Sequence, residues 1–265
     1  MLRLKQCVLF IVFIALPTSV VGGEAVQLRI LSWNIHHGEG TDGRLDLDRI
    51  AAVIKSVQPD VVALQEVDKG CDRTQKVNQP ALLAELTGLH AVFEKNIKLG
   101  DGEYGNAVLS RWPIVSHRNE ALPCLGNGEQ RGALLAEVIM KPANSDTAIP
   151  LTFISTHLDH RKPDAERLAS AERINLLALK STGPIILAGD LNAPPTSAVL
   201  QRFFEYWENS SIESLPTIPA DRPRSQIDFI LLSPALKGKV IECRVLDEQV
   251  ASDHRAIFSV IELAP

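Results

Sequence analysis

Apolar positions in this chain come in short bursts separated by turn residues, and their spacing switches between strand and helix periods. Across 27–34, Leu28, Ile30 and Ser32 alternate with Arg29, Leu31 and Trp33, which predicts a strand ending at Asn34. Asp46 then stands as an N-cap before Leu47, Ile50, Ala51 and Ile54, a helical stripe closed by Pro59. The run Val61 to Leu64 is too short for a helix and lies between turn residues, so it predicts a strand buried on both faces that stops at Gln65-Glu66. Beyond a polar loop, Leu82, Leu83 and Leu86 predict a helix ended by Gly88. Strands follow near 90–95, 105–110, 131–140 and 149–156. A helix from Asp164 to Lys180 carries Leu168, Ala171, Ile174 and Ala178 on one face and solvated charges on the other.

From Pro184, the apolar residues Ile185 to Ala188 run into Gly189 and deliver Asp190 and Asn192 at a strand end. Ala193-Pro194-Pro195 breaks the chain before a short helix beginning near Ser197, and Phe203, Phe204, Tyr206 and Trp207 cluster at core-like spacing. Leu215 to Pro223 reads as a loop and Ile227 to Leu232 as a strand. Strands near 239–246 and 255–262 close the chain, with Ser252-Asp253-His254 in the turn before the last. The succession of strands from 90 to 156 without intervening helices favours a layered α+β sandwich over a doubly wound parallel sheet.

The N-terminus has a different character. Basic Arg3 and Lys5, an apolar stretch from Val8 to Leu16 and small residues around Gly22-Gly23 have the form of a secretory signal peptide, assigned to residues 1–24. The apolar stretch is well short of the ~20 residues a spanning helix needs. Residues 25–265 are then one domain, located in the periplasm or the medium. Net charge is −5, and removal of residues 1–24, with Arg3, Lys5 and Glu24, makes residues 25–265 −6. That acidity and the 5% aromatic content argue against a general nucleic-acid-binding surface. No further stretch could span a membrane, and a monomer is the default. In an oxidising compartment Cys71 and Cys124, both in loops, are the candidate disulfide pair.

Five strand ends or adjacent turns present acids, amides or imidazoles: Asn34, Glu66, His157, Asp190 with Asn192, and Asp253 with His254. Singly, each is a turn or cap residue. Together they resemble the oxygen-donor set of a hard cation such as Mg²⁺ or Mn²⁺, with imidazoles beside it, which suits hydrolysis of a phosphoester. Asp228 lies among Ile227, Phe229 and Ile230, where a carboxylate is costly unless partnered, and an imidazolium is its natural partner.

The chain resembles the endonuclease/exonuclease/phosphatase (DNase I-like) superfamily in Ser32-Trp33-Asn34, Leu64-Gln65-Glu66-Val67, Tyr104-Gly105-Asn106-Ala107, Thr156-His157-Leu158, Gly189-Asp190-Leu191-Asn192, Ile227-Asp228-Phe229-Ile230 and Ser252-Asp253-His254. The motifs occur in the family's order and span the exported chain. The resemblance implies a four-layered α/β/β/α sandwich, two mixed β-sheets packed face to face with outer helices, and a divalent-metal-dependent phosphoester hydrolase. It implies Glu66, Asn34 and Asp253 around the metal, and His254 as general base with Asp228 holding its tautomer. Asp190 and Asn192 would position the attacking water and a phosphoryl oxygen, and His157 would donate to a phosphoryl or leaving-group oxygen. Mg²⁺ is the expected cofactor, with Mn²⁺ and Ca²⁺ as alternatives. Arg131, Asn106, His36 and His160 are the expected substrate-binding residues; His36 stands where some nuclease members carry an acidic metal ligand. Asp159, Arg161 and Arg73 would line the mouth. The substrate alternatives are a phosphomono- or diester, DNA or RNA, and a sphingomyelin-like phospholipid; a non-catalytic binding module on the same fold is the remote alternative.

Overall fold

The computed structural model describes residues 26–141 and 148–263, so the proposed signal peptide lies outside the described residues. Two six-stranded sheets face each other. The first has the order β11-β12-β1-β2-β4-β3, built from β1 (Val26–Asn34), β2 (Val61–Lys69), β3 (His90–Leu99), β4 (Gly102–Ser110), β11 (Gly238–Val245) and β12 (Ile257–Leu263). The second has the order β5-β6-β7-β8-β10-β9, from β5 (Ile114–Ala121), β6 (Gly132–Met140), β7 (Ile149–His157), β8 (Ile185–Asp190), β9 (Glu208–Asn209) and β10 (Asp228–Leu232). Each sheet mixes one parallel pair with antiparallel neighbours. β1 and β2 are joined through α1 (Leu47–Ser56), and β7 and β8 through α3 (Ala165–Leu179).

Side-chain alternation divides the core into three apolar layers. Leu28, Ile30, Val61 and Ala63 from the first sheet meet Leu134, Phe153, Ile186, Ala188 and Ile230 from the second. Their strand neighbours Leu31, Trp33, Val62 and Leu64 point outward and pack with Ile50, Ile54 and Leu83 of α1 and α2 (Gln79–Thr87). On the far side, Ile154, Leu187, Phe229 and Leu231 pack with Ala171, Ile174, Phe203 and Trp207 from α3 and around α4 (Ala198–Phe204). Strands buried on both faces explain why these segments read as nearly continuous apolar runs. The expected four layers, with helices outside two mixed sheets, are present.

Capping follows the sequence closely. Asp46 Oδ1 accepts from Arg49 N at 2.8 Å, Ser197 Oγ accepts from Leu200 N at 3.2 Å, and Gly88 ends α2 in the left-handed region.

Several elements differ from expectation. β5 was absent from the predicted set because it is an edge strand whose His117, Arg118 and Glu120 obscure any apolar alternation. β2 does not stop at Gln65-Glu66; it passes through a bulge there and continues to Lys69. The charges opening α3 are not all solvated: Glu166 and Arg167 are buried, with Arg167 donating to Asp159 O and Glu166 accepting from Leu125 N. The Cys71–Cys124 disulfide is not formed. Cys71 lies beside the Glu103 carbonyl after β2, whereas Cys124 faces the Gly128 carbonyl between β5 and β6, in different sheets. Cys243 is also unpaired.

Candidate active site

The two parallel pairs deliver their C-terminal ends to the same end of the sandwich. In the first sheet Asn34 pairs with Gln65, which places Glu66 in the adjoining bulge. In the second, His157 pairs with Asp190 and Asp190 pairs with Asp228, so three polar residues lie side by side across β7, β8 and β10. The glycine before Asp190 permits this spacing. Gly189 has φ +158, and a Cβ there would lie 1.9 Å from the Thr156 carbonyl oxygen of β7, which no side chain can satisfy.

A chain of hydrogen bonds joins the two sheets. Asn34 Nδ2 donates to Glu66 Oε1 at 2.9 Å and to Asp190 Oδ2 at 3.2 Å. Asp190 Oδ1 accepts from Asn192 N at 2.9 Å, and Asn192 Nδ2 donates to Leu158 O. His254 Nδ1 lies 2.9 Å from Asp228 Oδ2, and its Nε2 lies 3.7 Å from Asp190 Oδ2. A proton on Nδ1, shared with Asp228, leaves Nε2 facing Asp190. Thr217 Oγ1, from the Pro-rich loop, donates to the same Asp228 oxygen at 2.5 Å.

Arg131 settles the tautomer of His157. Its Nη1 lies 3.1 Å from His157 Nδ1, and because a guanidinium only donates, Nδ1 is the acceptor and Nε2 carries the hydrogen. That Nε2 lies 3.4 Å from Asp190 Oδ2. Burial and the Arg131 charge hold the His157 pKa well below the usual imidazole range, so the ring is a neutral donor.

His254 differs. Burial opposes its charge, but Asp228, Asp190 and Asp253 outweigh it and push the pKa up to about 10. Burial first, and Asp228 second, raise Asp190 to about 7. The surrounding carboxylates thus favour the charged form of His254, while burial disfavours the charged form of Asp190 beside it.

The remaining candidates are placed less uniformly. Asp253 stands near His254, where its charge raises that residue's pKa. Arg131 is 4% exposed, pairs with Glu129 at 2.9 Å, and stands behind His157. Asn106 is buried and its Nδ2 donates to Gly132 O at 3.0 Å, which ties β4 to β6. His160 is exposed on the loop after β7. Arg73 is clamped by both oxygens of buried Asp68, at 2.7 and 2.8 Å, and lies over the Tyr104 ring. Asp159 and Arg161 bond to each other at 2.9 Å.

Among the described residues, two groups bring metal-ligating atoms within 4.8 Å of one another: His36, His37 and Glu66, and Asp190, Asp228 and His254. In the second group, Asp228 and His254 already bond each other. The first contains the partly buried Glu66 carboxylate, fixed by Asn34, and fits a divalent cation.

Thr217 was not among the expected site residues, and His37, like His36, reads from the sequence as either a substrate contact or a loop residue. Thr217 sits in a loop with no polar pattern to single it out, and the His36-His37 pair reads equally well as an ordinary turn. Ser252 is a further structural addition: its hydroxyl donates to Asn34 O at 2.7 Å and accepts from His254 N at 3.2 Å.

Comparison with known proteins agrees with this geometry. A model described as the Endonuclease/Exonuclease/phosphatase family matches residues 31–254. The uncharacterized protein YbhP of Escherichia coli K12 is 29% identical over 251 residues, covering 89% of this chain and 97% of YbhP. An endonuclease/exonuclease/phosphatase structure from Beutenbergia cavernae superposes with TM-score 0.74 at 27% identity, covering 90% of this chain and 72% of that one. A mannosyl-6-phosphatase from Bacteroides thetaiotaomicron has the same fold, with TM-score 0.68 at 19% identity over 90% of this chain and all (100%) of that one. The matched span includes every strand end that carries the site, from Asn34 to His254. The chain belongs to the endonuclease/exonuclease/phosphatase family of metal-dependent phosphoester hydrolases.

Proposed function

We propose that the protein is an exported hydrolase of small anionic phosphoesters, with Asn34, Glu66, His157, Asp190, Asn192, Asp228, Asp253 and His254 as its working residues. The observation that carries this reading is the junction of the Asn34–Glu66 pair with the Asp190–His254–Asp228 chain at one end of the sandwich. Glu66, with Asn34 beside it, would hold the divalent cation, for which its carboxylate suits Mg²⁺ or Mn²⁺. That cation supplies charge neutralisation at the phosphoryl oxygens.

The chain's own residues account for proton and charge. Asp190 takes the proton from the attacking water, with Asn192 holding the carboxylate in place. His254 faces the developing phosphoryl charge as a cation, and Asp228 fixes its orientation. This places the base at Asp190, where the family resemblance implies His254. What supports the change is the imidazole's position among Asp228, Asp190 and Asp253, which favours its charged form, beside a carboxylate raised to about 7. His157 donates Nε2–H to a phosphoryl or leaving-group oxygen, and Arg131 holds its tautomer.

The acidic charge of the chain supports a small substrate over a nucleic acid. The test is a panel of bis-p-nitrophenyl phosphate, sugar phosphates, DNA and sphingomyelin, each assayed with Mg²⁺, Mn²⁺ and Ca²⁺. Turnover concentrated on the small esters is the expected outcome; preference for DNA or sphingomyelin would overturn the substrate assignment. Export rests on the pattern of residues 1–24. Mass spectrometry of the protein recovered from its native host should find a mature N-terminus between Gly22 and Ala25, and an intact Met1 would refute export.

A further inference from the structure

The turn after β1 carries histidines where the hydrolase reading requires only a carboxylate site. His36 and His37 lie in a short 3-10 turn (His36–Gly38), with ring centroids 4.5 Å apart. One ring nitrogen of each and one Glu66 oxygen fall within 4.8 Å of one another. All three residues have left-handed backbone, with φ of 45, 44 and 58, a conformation rare outside glycine. Such strain gathers where surrounding structure holds a residue for a task.

The contacts around the turn orient both rings. His36 Nδ1 lies 3.1 Å from the Glu39 carbonyl, so Nδ1 carries the hydrogen and Nε2 keeps its lone pair. His37 Nε2 lies 3.6 Å from the Glu39 carboxylate. His37 is 8% exposed, and its Nδ1 is buried without a hydrogen-bond partner. A buried nitrogen with no partner is costly unless something else occupies it. Glu39 thus faces both rings from behind, through its carbonyl and its carboxylate, as outer-shell groups do for metal-bound histidines. Gln79 Nε2 donates to His37 O at 2.6 Å and Gln79 Oε1 accepts from Asp68 N at 2.9 Å, which pins the turn to β2. On the carboxylate side, Asn34 Nδ2 takes Glu66 Oε1, and Asn34 Oδ1 accepts from His36 N at 3.0 Å.

We propose that His36, His37 and Glu66 form a two-imidazole, one-carboxylate site selective for a divalent transition-metal ion over Mg²⁺. Imidazole nitrogens suit borderline ions such as Co²⁺ and Zn²⁺, whereas Mg²⁺ takes oxygen donors and water. This rests on the reading of Glu66 as a metal ligand and adds two ligands and an ion class to it. It also moves His36 from a substrate contact to the metal.

The test is binding to metal-depleted protein, read by Co²⁺ visible absorption, by nitrogen coupling in the electron spin echo of bound Mn²⁺, and by calorimetry with Mg²⁺. His36→Asn and His37→Asn keep a residue that tolerates left-handed backbone. Each should weaken Co²⁺ binding by about 10–100-fold or more, the range seen even for loss of an outer-shell partner, and reduce the nitrogen coupling. Mg²⁺ binding should change little. Circular dichroism of the metal-free variants confirms folding, and Glu39→Ala, which leaves the turn's histidines in place, provides a second readout through weaker Co²⁺ binding. Unchanged Co²⁺ affinity and nitrogen coupling in both histidine variants would overturn the proposal, as would loss of binding in His254→Gln instead. Those results would leave the hydrolase reading standing; that reading of Glu66 fails separately if Glu66→Gln retains full metal-dependent turnover.

Discussion

At the scale of single residues, the site is a set of groups whose protonation is fixed by what stands behind them. Arg131 can only donate, so His157 is neutral with its hydrogen on Nε2; Asp228 can only accept when ionised, so His254 presents Nε2 toward Asp190. The same contacts carry a pH signature. The folded-state pKa of His254, about 10, lies above the ordinary 6.5, so the charged ring is favoured by the fold. The stability it contributes is full below pH 6.5 and is lost as pH rises toward about 10. Thermal unfolding of metal-depleted protein should therefore show the advantage of wild type over His254→Gln shrinking steadily across that window. An advantage that grew with pH would mean that His254 is neutral in the fold.

At the scale of elements, the site depends on where strands end and how closely they approach. Gly189→Ala should abolish β7–β8 pairing at Thr156, because its Cβ would meet that carbonyl at 1.9 Å. We expect a loss at the severe end of single substitutions, about 4 kcal/mol or more in urea unfolding, or no soluble protein. A near-neutral result would show that the strands can separate without cost. The strands that carry the site were legible in the sequence because they are apolar on both faces and stop at polar residues: Leu28 to Asn34 and Ile185 to Asp190 are the clearest. β5 was not legible, since an exposed edge strand such as Ile114–Ala121 need not alternate. Nor was the bulge at Glu66, because a bulge is a property of the pair, set by where β4 resumes its register at Val67–Gly105. Thr217 was invisible for the same reason: its partner, Asp228, is brought to it by the path of a loop. The candidate disulfide failed because two loops of similar composition belong to different sheets.

At the scale of the whole molecule, the site exists only when both sheets and both ends of the chain are in place. Trp33 Nε1 donates to the His254 carbonyl at 2.9 Å across 221 positions, and Ser252 reaches the Asn34 carbonyl across 218. The face-to-face packing of Ile30 and Ala63 against Phe153, Ala188 and Ile230 sets the distance over which Asn34 meets Asp190. No described helix is long and apolar enough to cross a membrane. The order of motifs conveyed this assembly in outline; the distances that bring Glu66, Asp190 and His254 to one point are a property of the folded sandwich. The account turns on Asp190, which touches Asn34, faces His157 and His254, and pairs in register with Asp228. The most direct measurement is steady-state hydrolysis of bis-p-nitrophenyl phosphate by metal-loaded wild type and Asp190→Asn, with circular dichroism on both. The account predicts a folded variant whose kcat falls by about 10²–10⁴-fold, the usual contribution of a general base. A folded Asp190→Asn protein with wild-type kcat would contradict it.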